Sequence, residues 1–142
     1  MQARITWVEG RTFVGESGSG HALVLDGPVD HGGRNLGPSP MELMLIGAGG
    51  CTAFDVVDIL QKGRHAIEDC RIELEAERAA EAPRVFTTIT MRFIVTGRAL
   101  PRAAVERAVK LSAERYCSAS IMLAKTATIR HEIELRESGA AS

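Results

Sequence analysis

The chain has 142 residues, of which 45% are hydrophobic and 25% are charged, the balance of a soluble globular protein. Its 17 basic and 18 acidic residues leave a net charge of -1, and aromatic residues make up only 4%. Nucleic-acid binders usually combine excess positive charge with aromatic stacking surfaces, so a nucleic-acid partner is not predicted. The length predicts a single domain over residues 1–142, with a core of its own.

Three short strands are predicted at the N-terminus. Ile5 and Trp7 alternate with polar neighbours, and two further runs cover residues 12–15 and 21–26. A Gly/Ser-rich turn separates the second run from the third, which indicates a hairpin. From Asp26 to Pro40 the sequence is rich in glycine and proline without an apolar period. A loop of this length is more often functional or mobile than accidental.

A long helix is predicted to begin at Pro40 and to end near Lys62, before Gly63. Ser39 is placed to cap it, proline suits the first helical position, and Glu42 follows Ser39 by three residues as in a capping box. The first half of this helix is apolar all round, which predicts burial on every side.

Two further features bear on this helix. It contains three glycines, Gly47, Gly49 and Gly50, and because glycine disfavours helix, they indicate a close neighbour. A membrane span is the alternative interpretation. However, charged residues at both ends, Asp55 and Asp58 among them, leave only about a dozen uncharged positions, fewer than the ~20 that a bilayer requires. No membrane association is predicted.

The second half of the chain is predicted as two strands, two helices and a closing strand. Apolar and polar residues alternate over 72–77 and 85–95, with a turn at 81–84, as in an antiparallel hairpin. A helix over 101–116, a short third helix over 121–125 capped by Ser118, and a strand over 129–136 follow. The order βββ-α-ββ-α-α-β indicates an α+β fold with a largely antiparallel sheet and a buried central helix.

Three cysteines, Cys51, Cys70 and Cys117, are the unusual feature of the composition. None lies in a C-x-x-C motif, and three cannot all pair within one chain. The N-terminal segment lacks the apolar run of a signal peptide. A cytoplasmic location is therefore predicted, where thiols stay reduced unless they are catalytic or redox-sensing.

The surroundings of the cysteines differ. Cys51 lies in the middle of the long helix, where free cysteines often pack as small hydrophobes, and Asp55 one turn later disfavours a thiolate there. Cys117 directly precedes Ser118 and a helix start, where amide donors and the helix dipole are expected to lower the pKa of a thiol. Cys70 precedes a strand without an evident partner and is interpreted as structural or incidental.

Other chemical motifs are not found in the sequence. The four histidines are far apart and form neither H-x-H nor H-E-x-x-H spacing, so they predict no metal site. The stretch over residues 15–20 is not a phosphate-binding G-x-G-x-x-G motif, and no G-x-S-x-G nucleophile elbow occurs.

Two segments carry a family resemblance that extends over essentially the whole chain. The run from Ser39-Pro40-Met41-Glu42 to Gly49-Gly50-Cys51, followed by Glu114-Arg115-Tyr116-Cys117-Ser118 at a helix end, resembles the OsmC/Ohr family. The likeness is greatest to a small OsmC-like branch with a Gly-Gly-Cys motif. The resemblance implies an intertwined homodimer in which two buried helices carry the first cysteine, with sites at the subunit interface.

The same resemblance implies a thiol peroxidase acting on organic hydroperoxides in oxidative-stress defence. Cys51 would be the peroxidatic residue that forms a sulfenic acid, and Cys117 the resolving residue that condenses with it to a disulfide. A dithiol reductant, lipoyl or similar, would restore both thiols. No metal or organic cofactor is implied.

An acid and an arginine complete the sites of the resembled family. Its peroxidases typically have Asn-Pro-Glu, with the glutamate ten residues before the first cysteine and orienting an arginine; here Met41 occupies that position and Glu42 follows. Nine residues of helix place Glu42 roughly 13.5 Å from Cys51 along the axis, so Glu42 either completes the capping box or holds an arginine. Arg11, in the turn between the first two strands, matches the family's arginine best, and Arg34 is the alternative.

Three functional hypotheses follow from these residues. The first is an organic hydroperoxide peroxidase, for which Leu43, Ile46, Phe54 and Met122 would supply an apolar site. The second is a stress-associated redox-sensing or binding protein without efficient turnover, since the glutamate position has changed. The third, hydrolysis by a cysteine nucleophile, lacks an evident Cys-His pair.

Overall fold

The computed structural model describes residues 1–139, which form six strands and three α-helices. The predicted order βββ-α-ββ-α-α-β and the α+β class are both confirmed. The elements are β1 Ala3–Glu9, β2 Thr12–Ser17, β3 Ala22–Leu25, α1 Pro40–Lys62, β4 Ala66–Arg78, β5 Phe86–Arg98, α2 Arg102–Leu111, α3 Ser118–Leu123 and β6 Thr128–Glu137.

The chain divides into two compact units, Met1–Ile46 and the residues from Gly47 onward. The boundary falls inside α1, so this helix begins in the first unit and continues through the second. Each unit contains one three-stranded sheet, β1-β2-β3 and β4-β5-β6 respectively. The prediction of one domain for the whole chain stays a prediction.

In the first unit, three antiparallel strands form a meander. The long loop follows it, for which no regular structure was predicted. β1 pairs with β2, and β2 with β3, through the predicted hairpin. The loop contains a short 3-10 turn, Val29–His31. A Cβ on Gly33 would lie only 1.9 Å from Gly27 O, so this crossing of the loop requires glycine.

The buried side chain of Asp26 holds this loop in place through hydrogen bonds. Its side chain is 2% exposed and accepts hydrogen bonds from the Thr12 hydroxyl at 2.9 Å and from the amides of Gly27, Arg34 and Leu36 at 2.8, 3.1 and 3.4 Å. Burial by itself raises the pKa of Asp26, but these hydrogen bonds outweigh burial and hold its pKa below the usual 3.8. The loop is therefore organised around one buried carboxylate.

In the second unit, β4 and β5 form the predicted antiparallel hairpin, and β6 lies beside β5 in parallel. Three of the four strand pairings in residues 1–139 are thus antiparallel, as predicted. The parallel pairing arises because the chain returns to β5 through α2 and α3, the crossover that parallel neighbours need. The core has fully buried residues from β5, α1 and α2: Ile89, Met91, Phe93, Val95, Val56, Val105 and Ala108.

Helix α1 buries one face within this chain. The buried positions recur at helical spacing: Ala48, Gly49, Thr52, Val56 and Leu60. A Cβ on Gly49 would lie 2.7 Å from Leu74 Cδ1, so the close neighbour predicted for the glycines is strand β4 at this position. Around Gly47 and Gly50, no described atom lies within 4 Å of such a Cβ. The helix predicted to be buried on every side therefore leaves an apolar face uncovered in the single chain, including Met44, Ile46 and Phe54.

With 23 residues and its apolar composition, α1 is the one helix of the described chain that could cross a membrane. Core helices of soluble proteins share this length and composition.

The capping box at the start of α1 is confirmed. The Ser39 amide donates to Glu42 Oε2 at 2.7 Å, and the Glu42 amide donates to Ser39 Oγ at 3.3 Å. The hydrogen bond from the Ser39 amide, followed by that from its side chain, lowers the pKa of Glu42. Glu42 thus has a structural role at the helix start.

Ser39→Ala, which removes one half of the capping box, should destabilise the fold by about 1 kcal/mol. Glu42→Gln keeps an acceptor for the Ser39 amide and should destabilise the fold less. Urea unfolding measures both variants. A Ser39→Ala chain as stable as the wild type would contradict the capping role.

Candidate active site

Two of the three cysteines come together in the second unit. Cys51 Sγ, Cys117 Sγ and a carboxylate oxygen of Asp55 lie within 4.8 Å of one another. Cys51 and Asp55 are one turn apart on α1, whereas Cys117 precedes α3. The two thiols that the resemblance pairs are therefore neighbours in a single chain.

A π-helical turn brings Cys117 to this position. After α2 the backbone widens over Ser112–Tyr116, and the Cys117 amide closes the turn by donating to Ser112 O at 2.9 Å. Cys117 then adopts an extended conformation, with φ -75° and ψ 94°. Such local widening of a helix is frequent at functional sites.

Cys117 itself caps α3. Its Sγ accepts a hydrogen bond from the Ser120 amide at 3.3 Å, and its thiol donates to Ser120 Oγ at 3.0 Å. Ser118, the predicted cap, is instead the first helical residue, and the helix begins three positions before the predicted 121. The sulfur takes the acceptor role that a hydroxyl was expected to fill.

The predicted lowering of the pKa of Cys117 is wrong. The side chain is 0% exposed, and this burial, reinforced by the adjacent Cys51 thiol, raises the pKa of Cys117. The hydrogen bonds with the Ser120 hydroxyl and amide act in the opposite direction but do not prevail. Desolvation of the thiolate outweighs the local advantage of a helix start.

A buried polar network supports the site from the side of Asp55. Ser112 Oγ donates to Asp55 Oδ2 at 2.9 Å and lies 2.8 Å from Thr52 Oγ1. Because the Ser112 proton goes to the carboxylate, the Thr52 hydroxyl is the donor between the two hydroxyls. Within residues 1–139, no fully buried side-chain nitrogen or oxygen lacks a partner. The network therefore fixes the carboxylate that lies beside both sulfurs.

Thr52 and Ser112 were not predicted as site residues. Their signal in the sequence is that both fall on otherwise apolar helix faces. Thr52 shares its face with Val56, and Ser112 continues the face of Val105 and Val109. A buried hydroxyl on such a face requires a partner, although the sequence does not show which one.

Cys70 lies apart from the cluster, on β4 opposite Val95. Burial, and secondarily the charge of Asp69, raises the pKa of this thiol. Cys70 was predicted just before a strand, but it lies within β4, an edge strand of its sheet. Its interpretation as structural or incidental stays a prediction.

The two candidate arginines both belong to the first unit. Arg11 lies in the predicted turn between β1 and β2 and is exposed. Arg34 Nη1 lies 2.5 Å from Glu9 Oε1, and its Nη2 donates to Thr12 Oγ1 at 3.0 Å. Arg34 is thus fixed within its own unit. The roles of Arg11, Arg34 and Glu42 toward Cys51 stay predictions.

The fold and this site define an α+β protein in which two free cysteines are neighbours. The family model described as "OsmC-like protein" matches residues 32–132, a range that contains both cysteines. The chain belongs to the OsmC-like family.

Individual relatives agree with this family assignment. Protein YhfA of Escherichia coli K12 is 56% identical over 135 residues, covering 95% of this chain and 98% of that protein. The crystal structure of a hypothetical protein from Aquifex aeolicus has 27% identity, coverage of 96% of both chains and a TM-score of 0.84. The organic hydroperoxide resistance protein OhrB of Bacillus subtilis shares the fold, with 20% identity, coverage of 94% and 98%, and a TM-score of 0.64.

Proposed function

We propose that this protein is a two-cysteine peroxidase for organic hydroperoxides, with Cys51 as the peroxidatic and Cys117 as the resolving residue. The observation that carries the proposal is the placement of both sulfurs within 4.8 Å of each other in one chain. Membership of the OsmC-like family supports thiol redox chemistry, and the fold is shared with a protein named for organic hydroperoxide resistance.

The reaction needs two steps at sulfur. The Cys51 thiolate attacks a peroxide oxygen and the O–O bond breaks; the alkoxide leaves and takes up a proton, so that Cys51 becomes a sulfenic acid. The Cys117 thiolate then attacks the Cys51 sulfur, hydroxide departs as water after protonation, and a disulfide forms. A dithiol of the lipoyl type supplies two electrons and two protons to regenerate both thiols.

Exposure supports this division of roles. Cys51 is half-buried, whereas Cys117 is buried completely, so of the two residues Cys51 is the more accessible to a peroxide. A disulfide requires the two sulfurs to approach to about 2.05 Å, so formation of the bond needs a movement of up to roughly 2.8 Å. The π-helical turn before Cys117 is the natural place for this adjustment.

Apolar side chains near the cysteines in sequence favour an organic rather than an inorganic peroxide. Phe54, three residues after Cys51 on α1, is 78% exposed, and Met122 on α3 is 72% exposed. Exposed apolar side chains of this size suit a hydrocarbon substituent or a protein partner. Leu43 and Ile46, also predicted for the apolar site, belong to the first unit, and their contribution stays a prediction.

The decisive experiment is peroxide consumption by the purified, reduced protein. With cumene hydroperoxide and dihydrolipoamide, the wild type should turn over many times, and Cys51→Ser should fall to the rate of the reagents alone. Cys70→Ser is the matched control, because it removes the thiol outside the cluster and should keep the wild-type rate. An inactive wild type would exclude the proposal.

A redox sensor is the second candidate, favoured by the raised pKa of Cys117, which slows disulfide formation. Met41, at the position where peroxidases of the family usually have glutamate, also favours a sensor. The same assay separates the two functions: a sensor consumes one equivalent of peroxide, forms the 51–117 disulfide and is not efficiently recycled by the dithiol.

We also propose a homodimer in the cytoplasm, acting in oxidative-stress defence. The support for a dimer is the uncovered apolar face of α1 together with the exposed apolar residues Ile5, Trp7 and Val8 of β1. Large apolar side chains that are exposed in a single chain favour an interface with a partner.

Phe54→Lys tests the dimer, since a charge on this face should weaken self-association by about 100-fold or more if the ring is buried there. Val85→Lys is the control, because Val85 is an exposed apolar residue outside α1 and β1. Sedimentation equilibrium measures both variants. An unchanged dimer in Phe54→Lys would place the interface elsewhere, and a monomeric wild type would exclude it.

A further inference from the structure

We propose that Cys51, Asp55 and Cys117 form a Zn²⁺-binding site in the reduced protein, with the fourth coordination position open to water. The histidines predict no metal site, because they are far apart in the sequence. The fold instead assembles two sulfurs and one carboxylate oxygen within 4.8 Å of one another, all in the second unit.

The spacing of the three atoms suits a tetrahedral ion. Zn–S bonds of about 2.3 Å and Zn–O bonds of about 2.1 Å place two sulfurs about 3.8 Å apart, and a sulfur and an oxygen about 3.6 Å apart. The observed limit of 4.8 Å therefore requires the atoms to approach one another by at most about 1.2 Å. Cys51 and Asp55 are separated by one helical turn, so α1 presents both on one face.

Hydrogen bonds from neighbouring residues orient two of the proposed ligands, Asp55 and Cys117. Ser112 donates to Asp55 Oδ2 at 2.9 Å, is itself held by Thr52, and leaves the other carboxylate oxygen available. The Ser120 amide donates to Cys117 Sγ at 3.3 Å, a hydrogen bond that suits a thiolate. Hydrogen-bonded outer partners of this kind orient metal ligands and strengthen binding.

The chemistry of the three ligand atoms suits a divalent cation. Two thiolates and one carboxylate would bring up to three negative charges to Zn²⁺, and the ion would stabilise all three at once. Cys51 and Asp55 are only half-buried, which leaves a route for the ion to enter.

Binding depends on the oxidation state of the pair. Oxidation of the two thiols to a disulfide removes two of the three ligands, so the ion is held only by the reduced protein. The inference goes beyond the proposed peroxidase: zinc binding is measured without peroxide, and turnover is measured with a metal chelator present. Failure of one does not imply failure of the other.

The experiment titrates Zn²⁺ into the full, reduced chain under anaerobic conditions, against a chromophoric chelator, with native mass spectrometry for stoichiometry. We expect one ion per chain and the release of about two thiol protons per ion at neutral pH. Co²⁺ in place of Zn²⁺ should give thiolate-to-metal charge-transfer absorption. Protein oxidised by diamide, which takes two electrons and two protons from the thiols, should bind neither ion.

Three variants identify the ligands. Asp55→Asn keeps the shape of the side chain and its hydrogen bond with Ser112 but should weaken Zn²⁺ binding by more than about tenfold. Cys51→Ser should lose the charge-transfer absorption that the Cys51 thiolate contributes. Cys70→Ser is the control, because it removes a thiol outside the cluster, and it should bind Zn²⁺ as the wild type does. Circular dichroism confirms that each variant is folded. Wild-type protein that binds no Zn²⁺ at micromolar concentration, or binding that survives Cys51→Ser and is lost in Cys70→Ser, would overturn the proposal.

Discussion

Replacing Cys117 with serine is expected to stop disulfide formation and to leave the first oxidation of Cys51 intact. Serine is close to cysteine in size, and its hydroxyl can keep the contacts with Ser120, so the fully buried position should remain packed. A hydroxyl cannot attack a sulfenic acid as a thiolate does. Cys117→Ser should therefore consume one equivalent of peroxide and accumulate the sulfenic acid on Cys51.

Trapping with dimedone, followed by mass spectrometry, measures the sulfenic acid, and non-reducing peptide mapping measures the disulfide. Cys70→Ser should form the 51–117 disulfide as the wild type does. Continued turnover of Cys117→Ser at the wild-type rate would mean that the reductant attacks the sulfenic acid directly. Cys117 would then not be the resolving residue.

The pH dependence of the wild-type reaction checks the same step. Burial and the adjacent thiol raise the pKa of Cys117, so only a small fraction is thiolate at neutral pH. Below this pKa the thiolate fraction grows about tenfold per pH unit, and the rate of disulfide formation from oxidised Cys51 should grow with it. Ser120→Ala removes a hydrogen bond that lowers the pKa of Cys117, so the increase should move to higher pH. Rapid acid quench at several pH values measures both.

Local signals in the sequence predicted α1 well. Its cap, its first residue and its end at Lys62 depend on Ser39, Pro40, Glu42 and Gly63, which act on neighbouring backbone. The strands of the second unit were predicted as elements, because alternation along a strand shows which of its faces is buried. Their bounds were predicted less well: β4 was expected over 72–77 and extends over Ala66–Arg78. The parallel pairing of β6 with β5 was not predicted, since nothing within the β6 segment specifies its partner.

The site was predictable only in part. Cys51 and Cys117 are 66 positions apart in the chain, and their pairing was expected from a family resemblance rather than from spacing. The contact between Asp55 and Ser112 spans 57 positions and was not expected. Local rules gave the wrong direction for the pKa of Cys117, because burial is a property of the folded chain rather than of the residues beside it.

The order of the loop after β3 could not be predicted from neighbouring residues either. Composition predicted that residues 26–40 form a loop, but it did not predict what orders the loop. Its order comes from Asp26, whose partners Thr12, Arg34 and Leu36 lie 14, 8 and 10 positions away. Such a set of donors is visible only once the chain has turned back on itself.

Asp26→Ala should therefore destabilise the first unit more than any exposed substitution in it. Four donors lose their acceptor at once, and a buried donor left without a partner is costly. We expect the midpoint of thermal unfolding to fall by roughly 5–15 °C. Amide hydrogen exchange should accelerate at Gly27, Arg34 and Leu36. Asp30→Ala is the matched control: Asp30 is an exposed carboxylate of the same loop, and its loss should change the midpoint little.

The effect should also depend on pH in a defined direction. The hydrogen bonds hold the pKa of Asp26 in the folded chain below 3.8, despite burial. The unfolded chain therefore binds the proton more readily, and the stabilisation by Asp26 is present above pH 3.8 and lost as pH falls through the lower, folded value. The difference in stability between wild type and Asp26→Ala should shrink as the solution is acidified below pH 3.8. A difference that stays constant down to pH 2 would mean that the carboxylate charge does not hold the loop.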